Sequence, residues 1–194
     1  MLRIMIIILI QVFMMNYSYS QNTDPNPNST HEKWEYVLEG TGDILQIALP
    51  VAAGLATVFK KDWEGSKQFA FSYTTSFIIA HALKKIVHKQ RPEGRNLYDA
   101  FPSGHTTSAF SGASFIQRRY GWKYGKWAYL LASIVGVSRM EGPDGWHDIW
   151  DVLGGAAIGI GSTYIFTKPY QNNPVELGFY SRNNHYLITA KFKF

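Results

Sequence analysis

The stretch SRMEGPDGWHDIWD, residues 138–151, contains side chains that can carry out nucleophilic chemistry. His147 and Asp151 are four residues apart, which places them on one face if the chain is helical there. A carboxylate at that distance can accept a hydrogen bond from one imidazole nitrogen and leave the other as nucleophile or base. A Gly-Pro-Asp-Gly turn separates Arg139 from His147. A turn followed by an ordinary helix, with Asp148 and Asp151 facing the helix dipole, would give the same pattern.

A basic stretch, KKIVHKQRP at residues 84–92, precedes this motif in the chain. Lys84 and Arg91 are seven residues apart, so a continuous helix presents both on one face. Pro92 predicts that Arg91 is the last helical residue. A solvated basic helix end is the alternative interpretation, because cations are favoured at a helix C-terminus.

The stretch FPSGHTTSAF, residues 101–110, has the pattern of a helix start. Ser103 is a good N-cap, and the free N–H groups of such a start form a ready anion site. Gly104 lets a ligand approach the backbone closely, and His105 lies in the first turn beside any bound anion. A capped helix with an incidental histidine is the alternative.

The chain of 194 residues is long enough for one compact domain. Apolar and small residues predict an all-α fold, a helical bundle of about five core helices whose small side chains allow close packing. The predicted helical segments are residues 40–59, 67–88, 104–117, 127–140 and 148–167. The segment after Pro102 is short and polar, so we expect it to be buried inside the bundle. Alternating residues after Asn172 predict a short C-terminal β-hairpin.

The N-terminal residues indicate export. One arginine precedes an apolar run and small residues follow, which predicts a signal peptide over residues 1–20, or an N-terminal anchor helix. A polar linker over residues 21–34, the bundle domain over 35–168 and a tail over 169–194 complete the predicted organisation. An exported chain argues against a nucleic-acid partner for its net charge of +5.

Whether the bundle is embedded in a membrane is left open by the sequence. The mean hydropathy of −0.15 favours a soluble protein. In contrast, Asp43 is the only charged residue between Gly40 and Phe59, a stretch as long as a membrane span. The loops 60–67 and 117–126 are basic, as expected for loops on the cytoplasmic side, but the basic segment 84–95 breaks that pattern.

Composition excludes several kinds of site. The chain has no cysteine, so a disulfide scaffold, a thiolate metal site and a cysteine nucleophile are all ruled out. The carboxylates are few and scattered, which argues against a two-metal site. We therefore predict no metal and no other cofactor.

The three motifs together predict a phosphate pocket. In an up-and-down bundle, three basic residues, an anion-binding helix start and two histidines fall at the same end of successive helices. Such a pocket also explains the basic segment 84–95.

These motifs resemble the three-part signature of the PAP2 superfamily, which includes type 2 phosphatidic acid phosphatases, bacterial class A acid phosphatases and vanadium haloperoxidases. The resemblance covers roughly residues 40–168. The first two motifs match at every signature position. In the third motif seven residues, 140–146, separate the arginine from the histidine where the family usually has five.

The resemblance implies a role for each signature residue. His147 would attack phosphorus and form a phosphohistidine, Asp151 would orient His147, and His105 would protonate the leaving alkoxide. Phosphate-binding residues would be Lys84, Arg91, Ser103, Gly104 and Arg139.

The resulting expectation is a metal-independent phosphatase of the bacterial cell envelope that hydrolyses phosphomonoesters, with lipid phosphates as substrates if the bundle lies in a membrane. Its active site would face the periplasm from the inner membrane. The alternatives are a soluble periplasmic acid phosphatase for small phosphoesters, a vanadate-dependent haloperoxidase and a non-catalytic phosphate-binding envelope protein. The sequence defines neither the particular phosphoester nor the oligomeric state.

Overall fold

The computed structural model describes residues 32–92, 96–143, 145–170, 175–182 and 185–192. Five helices form the body of the described chain, as predicted. They are α1 (Lys33–Phe59), α2 (Trp63–Val87), α3 (Gly104–Tyr120), α4 (Trp122–Glu141) and α5 (Ile149–Phe166). Two strands follow, β1 (Val175–Arg182) and β2 (His185–Phe192).

The helices alternate in direction. Gly42 on α1 lies against Ser138 near the end of α4, whereas Thr57 at the end of α1 bonds to Ser66 at the start of α2. The N-termini of α1, α3 and α5 therefore meet the C-termini of α2 and α4 at one end of the bundle, which we call the site end.

Helix α3 occupies the centre of the bundle and packs against each of the other four helices. Its inward residues are mostly small, and Ala109 and Ala113 are completely buried. Phe115, also completely buried, fills the space towards Phe69 and Tyr73 of α2. The expectation that this short, polar segment is an interior helix is confirmed.

Glycine allows α3 to approach its neighbours closely. A Cβ atom on Gly112 would lie 2.6 Å from the backbone nitrogen of Pro50 and 2.7 Å from the carbonyl carbon of Leu49. On the other side of α3, a Cβ atom on Gly159 of α5 would lie 2.7 Å from the carbonyl oxygen of Thr107. These contacts with rigid backbone set the spacing of α3 from α1 and α5.

A buried ion pair fastens the opposite end of the bundle. Both nitrogens of the Arg119 guanidinium edge bind Asp62, with Nη2–Oδ1 at 2.6 Å and Nε–Oδ2 at 2.7 Å. Asp62 also caps α2 by accepting from the N–H of Gly65. Arg119 Nη1 donates to the carbonyl oxygen of Lys168, so the same pair holds the chain leaving α5.

The predicted hairpin forms an antiparallel pair in which Val175 faces Phe192 and Arg182 faces His185. Helix limits differ from the sequence-based expectation by one to seven residues, most at the starts of α1 and α4. Helix α1 begins at Lys33 and so extends into the predicted linker. Helix α4 begins at Trp122, because Gly121 reverses the chain with φ of 88° and the next helix starts at once. The predicted signal peptide over 1–20 lies outside the described residues, and the proposed domain division remains a prediction.

Two of the described helices, α1 and α5, are long and apolar enough to cross a membrane. Buried core helices of soluble proteins pass the same test, so this property alone does not place the bundle in a membrane.

The close approach at Gly112 predicts a stability difference between two glycine substitutions. Gly112→Ala forces a methyl group into the backbone of α1 and should destabilise the protein by about 1–3 kcal/mol. Gly161→Ala is the matched control, because a Cβ atom there meets open space, and alanine favours the helix. Thermal unfolding followed by circular dichroism should show a lower Tm only for Gly112→Ala. Equal Tm values for the two variants would contradict the packing described here.

Candidate active site

The turn between Arg139 and His147 is closed by the backbone. The N–H of His147 donates to the carbonyl oxygen of Arg139 at 3.1 Å, so the two residues are adjacent in space despite the seven residues between them. Inside the turn, Gly145 donates to the carbonyl oxygen of Gly142 at 2.9 Å and adopts a φ of 49°. The longer third motif therefore bulges without separating its arginine from its histidine.

His147 and Asp151 do not share one face of a helix, as their spacing suggested. Helix α5 begins at Ile149, after Asp148 in an extended conformation, so His147 lies in the loop before the helix. The two side chains are nevertheless close, with His147 Nδ1 3.5 Å from Asp151 Oδ2. The loop, rather than a shared helix face, brings them together.

Three contacts hold Asp151 in place. Its Oδ2 accepts from the backbone N–H of Asp148, while Asp148 Oδ1 accepts from the N–H of Asp151, which is a reciprocal capping box. Lys89 Nζ donates to Asp151 Oδ1 at 2.7 Å and to Asp148 Oδ2 at 2.6 Å. Asp151 is completely buried, so its orientation is fixed before any ligand binds.

His147 is buried in a cationic environment. Burial lowers the pKa of His147 to about 4, and the charges of Lys84 and Arg91 act in the same direction against the opposing effect of Asp151. The imidazole is therefore neutral at pH 7 and has a lone pair available on one nitrogen.

The predicted helical position of Arg91 is also wrong. Helix α2 ends at Val87, and His88 reverses the chain with φ of 48°. Arg91 lies in the loop that follows, where its Nε and Nη2 bind both carboxylate oxygens of Asp99 at 2.8 and 3.1 Å. Its guanidinium also stacks on Trp146, with 4.7 Å to the ring centroid.

Lys84 connects the motifs. Its ammonium donates to the backbone carbonyl of Asp99. Its positive charge disfavours protonation of both His105 and His147, so Lys84 is close enough to influence the two histidines.

The helix start at Ser103 has the predicted cap. Ser103 Oγ accepts from the N–H and the hydroxyl of Thr106, at 3.4 and 3.0 Å, and the N–H of Ser103 donates to the carbonyl of Asp151 at 2.9 Å. The Ser103 side chain is completely buried. A Cβ atom on Gly104 would meet nothing within 4 Å, so there is open space beside Gly104 in the first turn of the helix.

His105 and Arg139 share one carboxylate that the motifs did not include. Asp43 Oδ1 lies 3.3 Å from His105 Nε2 and 3.1 Å from Arg139 Nη1. Glu39, one turn earlier on α1, accepts from Arg139 Nη2 through its carbonyl oxygen at 3.2 Å. Its carboxylate accepts from Trp146 Nε1.

Unsatisfied polar atoms gather at the site end. Among the described residues, the fully buried side-chain atoms without a hydrogen-bond partner include Asp43 Oδ1, His105 Nε2 and His147 Nδ1. Each of them faces another charged or titratable side chain of the site at 3.1–3.5 Å without hydrogen-bond geometry, so the polar groups of the site end are close together but incompletely bonded. No three His, Asp or Glu side chains form a potential metal site within the part of the chain that the structure describes.

The signature residues thus come together at the site end, and four supporting residues were missed: Asp43, Lys89, Asp99 and Trp146. Asp43 had a visible signal, because it is the only charge in an apolar stretch. Lys89 stood inside the first motif but resembled an ordinary surface lysine. Asp99 and Trp146 had no such signal.

Comparison with known proteins identifies the family. A model of the PAP2 superfamily matches residues 66–174. A lipid A 4′-phosphatase of Helicobacter pylori is 31% identical over 146 residues, which are 70% of this chain and 72% of that protein. A lipid A 1-phosphatase of Porphyromonas gingivalis is 40% identical over 85 residues, which are 42% of this chain but 18% of that protein.

The fold has solved relatives as well. The crystal structure of Aquifex aeolicus LpxE matches with a TM-score of 0.59 at 21% identity, over 71% of this chain and 87% of that one. The chain belongs to the PAP2 superfamily. It is a PAP2-type phosphatase with the expected all-helical core.

The burial of His147 predicts its titration. In ¹⁵N-histidine NMR spectra of the purified protein, His147 should stay neutral through pH 5 and titrate near pH 4, because the protonated ring is disfavoured by burial and by two cations. The His147→Gln variant assigns its signals by their disappearance. A midpoint near the ordinary value of about 6.5 would contradict this description of the site.

Proposed function

We propose that this protein hydrolyses lipid phosphomonoesters at the outer face of the bacterial inner membrane, through a phosphohistidine on His147. The observation that carries the proposal is the arrangement around His147. A neutral imidazole lies beside a fixed carboxylate, at the end of the bundle where three signature cations and an open helix start converge.

The cations and the helix start are suited to bind the phosphoryl group. Lys84, Arg91 and Arg139 supply three positive charges, and the N-terminus of α3 offers backbone N–H groups in front of Gly104. Phosphoryl transfer depends mainly on positioning and on stabilising charge on the equatorial oxygens. Fixed cations give that stabilisation without a metal ion, so we infer a metal-independent reaction.

In the first step, one nitrogen of His147 attacks phosphorus. Nδ1 faces Asp151, which leaves Nε2 as the nucleophile. The P–N bond forms as the ester P–O bond breaks, and the leaving alkoxide takes a proton from His105. The Asp151 carboxylate stabilises the positive charge that develops on the His147 ring.

In the second step, a water molecule attacks the phosphohistidine. His105, now neutral, accepts the proton of the water as the new P–O bond forms and the P–N bond breaks. Inorganic phosphate leaves, and both histidines return to their starting states.

Two observations support a lipid substrate and a membrane location. Both similar phosphatases described above are named for lipid A. The outer surface of the bundle also has a suitable distribution of side chains. Exposed tryptophans lie near the site end, Trp34 and Trp150, and near the opposite end, Trp63 and Trp122. Tryptophan is enriched at both interfaces of a bilayer.

Exposed aliphatic and aromatic side chains fill the surface between these tryptophans. They include Val51, Leu55, Phe71, Ile78, Leu130 and Leu153. Helix α1, with 27 residues, is about 40 Å long, enough to cross a hydrocarbon core of about 30 Å. The soluble alternative, which the mean hydropathy favours, would leave this apolar surface in water.

The proposed reaction predicts phosphate release that needs His147 but no metal. Purified protein in detergent should release phosphate from a lipid phosphomonoester in excess EDTA. His147→Gln should lower the rate by on the order of 10³-fold or more, since it removes the nucleophile. Rapid acid-free quenching with ³²P-labelled substrate should label the wild-type protein at an alkali-stable, acid-labile position.

The control for folding is the thermal unfolding of His147→Gln, which should stay close to that of the wild type. Phosphate release by a folded His147→Gln variant at the wild-type rate would refute the mechanism. Release from soluble phosphoesters alone, by protein that carbonate removes from membranes, would instead favour the soluble phosphatase.

A further inference from the structure

Asp43 contacts two of the signature residues, although its own helix contains none of the three motifs. It lies in the third turn of α1, whereas His105 belongs to α3 and Arg139 to α4. A single oxygen, Oδ1, is 3.3 Å from His105 Nε2 and 3.1 Å from Arg139 Nη1. That oxygen is buried and has no hydrogen bond of good geometry with either partner.

The surroundings of His105 make this carboxylate important. The charged groups that act on His105 include two cations, Lys84 from α2 and Arg139 from α4, and one carboxylate, Asp43 from α1. The cations disfavour a protonated imidazole, and burial of the ring does the same. A general acid must nevertheless carry its proton when the substrate arrives.

We propose that Asp43 is a positioning residue that orients His105 as the proton donor to the leaving alkoxide and opposes the loss of its proton. This inference rests on the proposed function. The negative charge of Asp43 partly offsets the two cations at His105, and its contact with Nε2 holds the ring. Through the same oxygen it keeps Arg139 directed towards the site.

Glu39 provides a matched comparison on the same helix. Its carboxylate oxygen lies 3.9 Å from Arg139 Nη1, and its backbone carbonyl accepts from Arg139 Nη2. Glu39→Gln therefore removes a negative charge beside Arg139 while Asp43 stays in contact with His105. The pair of variants separates an effect on phosphate binding from an effect on proton donation.

The test uses two substrates with the same lipid tail and different leaving groups. Dodecyl phosphate has a poor alkoxide leaving group and needs a proton, whereas a dodecyl-substituted nitrophenyl phosphate leaves as a stabilised phenolate. Asp43→Asn should lower kcat on the alkyl phosphate by about 10²-fold and on the aryl phosphate by less than about 10-fold. His105→Ala should show the same selectivity, and Asp43→Glu should recover part of the alkyl rate.

The control variant should behave differently. Glu39→Gln should change KM for both substrates by the same factor and leave the ratio of their kcat values near that of the wild type. The alkaline limb of kcat on the alkyl phosphate should move to lower pH in Asp43→Asn, because the proton of His105 is then held less tightly. Since each ratio compares two rates in one sample, it does not depend on the fraction of folded protein.

The outcomes distinguish this inference from the proposed function. If Asp43→Asn slows both substrates equally, or slows neither, Asp43 does not support a proton donor and the inference is overturned. If the wild-type protein hydrolyses neither substrate and no lipid phosphomonoester, the proposed function itself fails.

Discussion

Buried positive charge at one end of the helical bundle is the constraint on which the site depends. Arg139 is 4% exposed, and His147 beside it is 6% exposed, so charge there must be compensated within the protein. Three of the cations each have a carboxylate partner, Asp43 for Arg139, Asp99 for Arg91 and Asp151 for Lys89, whereas Lys84 donates to the backbone carbonyl of Asp99. Those carboxylates come from α1, from the loop after α2 and from α5, which ties the three parts of the bundle together around one small volume.

The same pairing leaves the site suited to the anion of the proposed reaction. Each cation is oriented by a partner on one side, and the open space beside Gly104 lies at the helix start that these groups surround. Backbone hydrogen bonds fix the remaining geometry, from His147 to Arg139 and from Ser103 to Asp151. Rigid helix packing, with α3 held against the backbone of α1 at Gly112, keeps these groups in register. In the proposed mechanism, the binding energy of the phosphate can therefore stabilise the charge of the transition state, because little of it is needed to reorganise the protein.

The sequence was sufficient to predict the bundle, its approximate helices, the hairpin and the residues of the three motifs, because residue type and spacing record helix caps, apolar faces and cations. The sequence-based prediction was wrong where the chain forms loops instead of the expected helices. Arg91 and His147 both lie outside helices, so the helical spacing that suggested their partners was not the cause of their positions. The partners of Asp43 could not be assigned, since its contacts with His105 and Arg139 join elements far apart in the chain. Asp99 is only eight residues from Arg91, but the two meet through a loop and not through a regular helical spacing. The spacing of the third motif likewise does not reveal that His147 stays next to Arg139, because that proximity depends on the hydrogen bond from the His147 N–H to the Arg139 carbonyl oxygen.

The most direct test of the central claim, that the three motifs act on one phosphorus, is a structure of the protein with bound orthovanadate. Vanadate adopts the five-coordinate geometry of phosphoryl transfer and stands for the phosphoryl group with its attacking ligand. The proposed mechanism predicts that vanadium is bonded to Nε2 of His147 and that its oxygens lie within hydrogen-bond distance of Lys84, Arg91, Arg139 and the N-terminus of α3. Vanadate bound elsewhere, or held by the cations without a bond to His147, would contradict it.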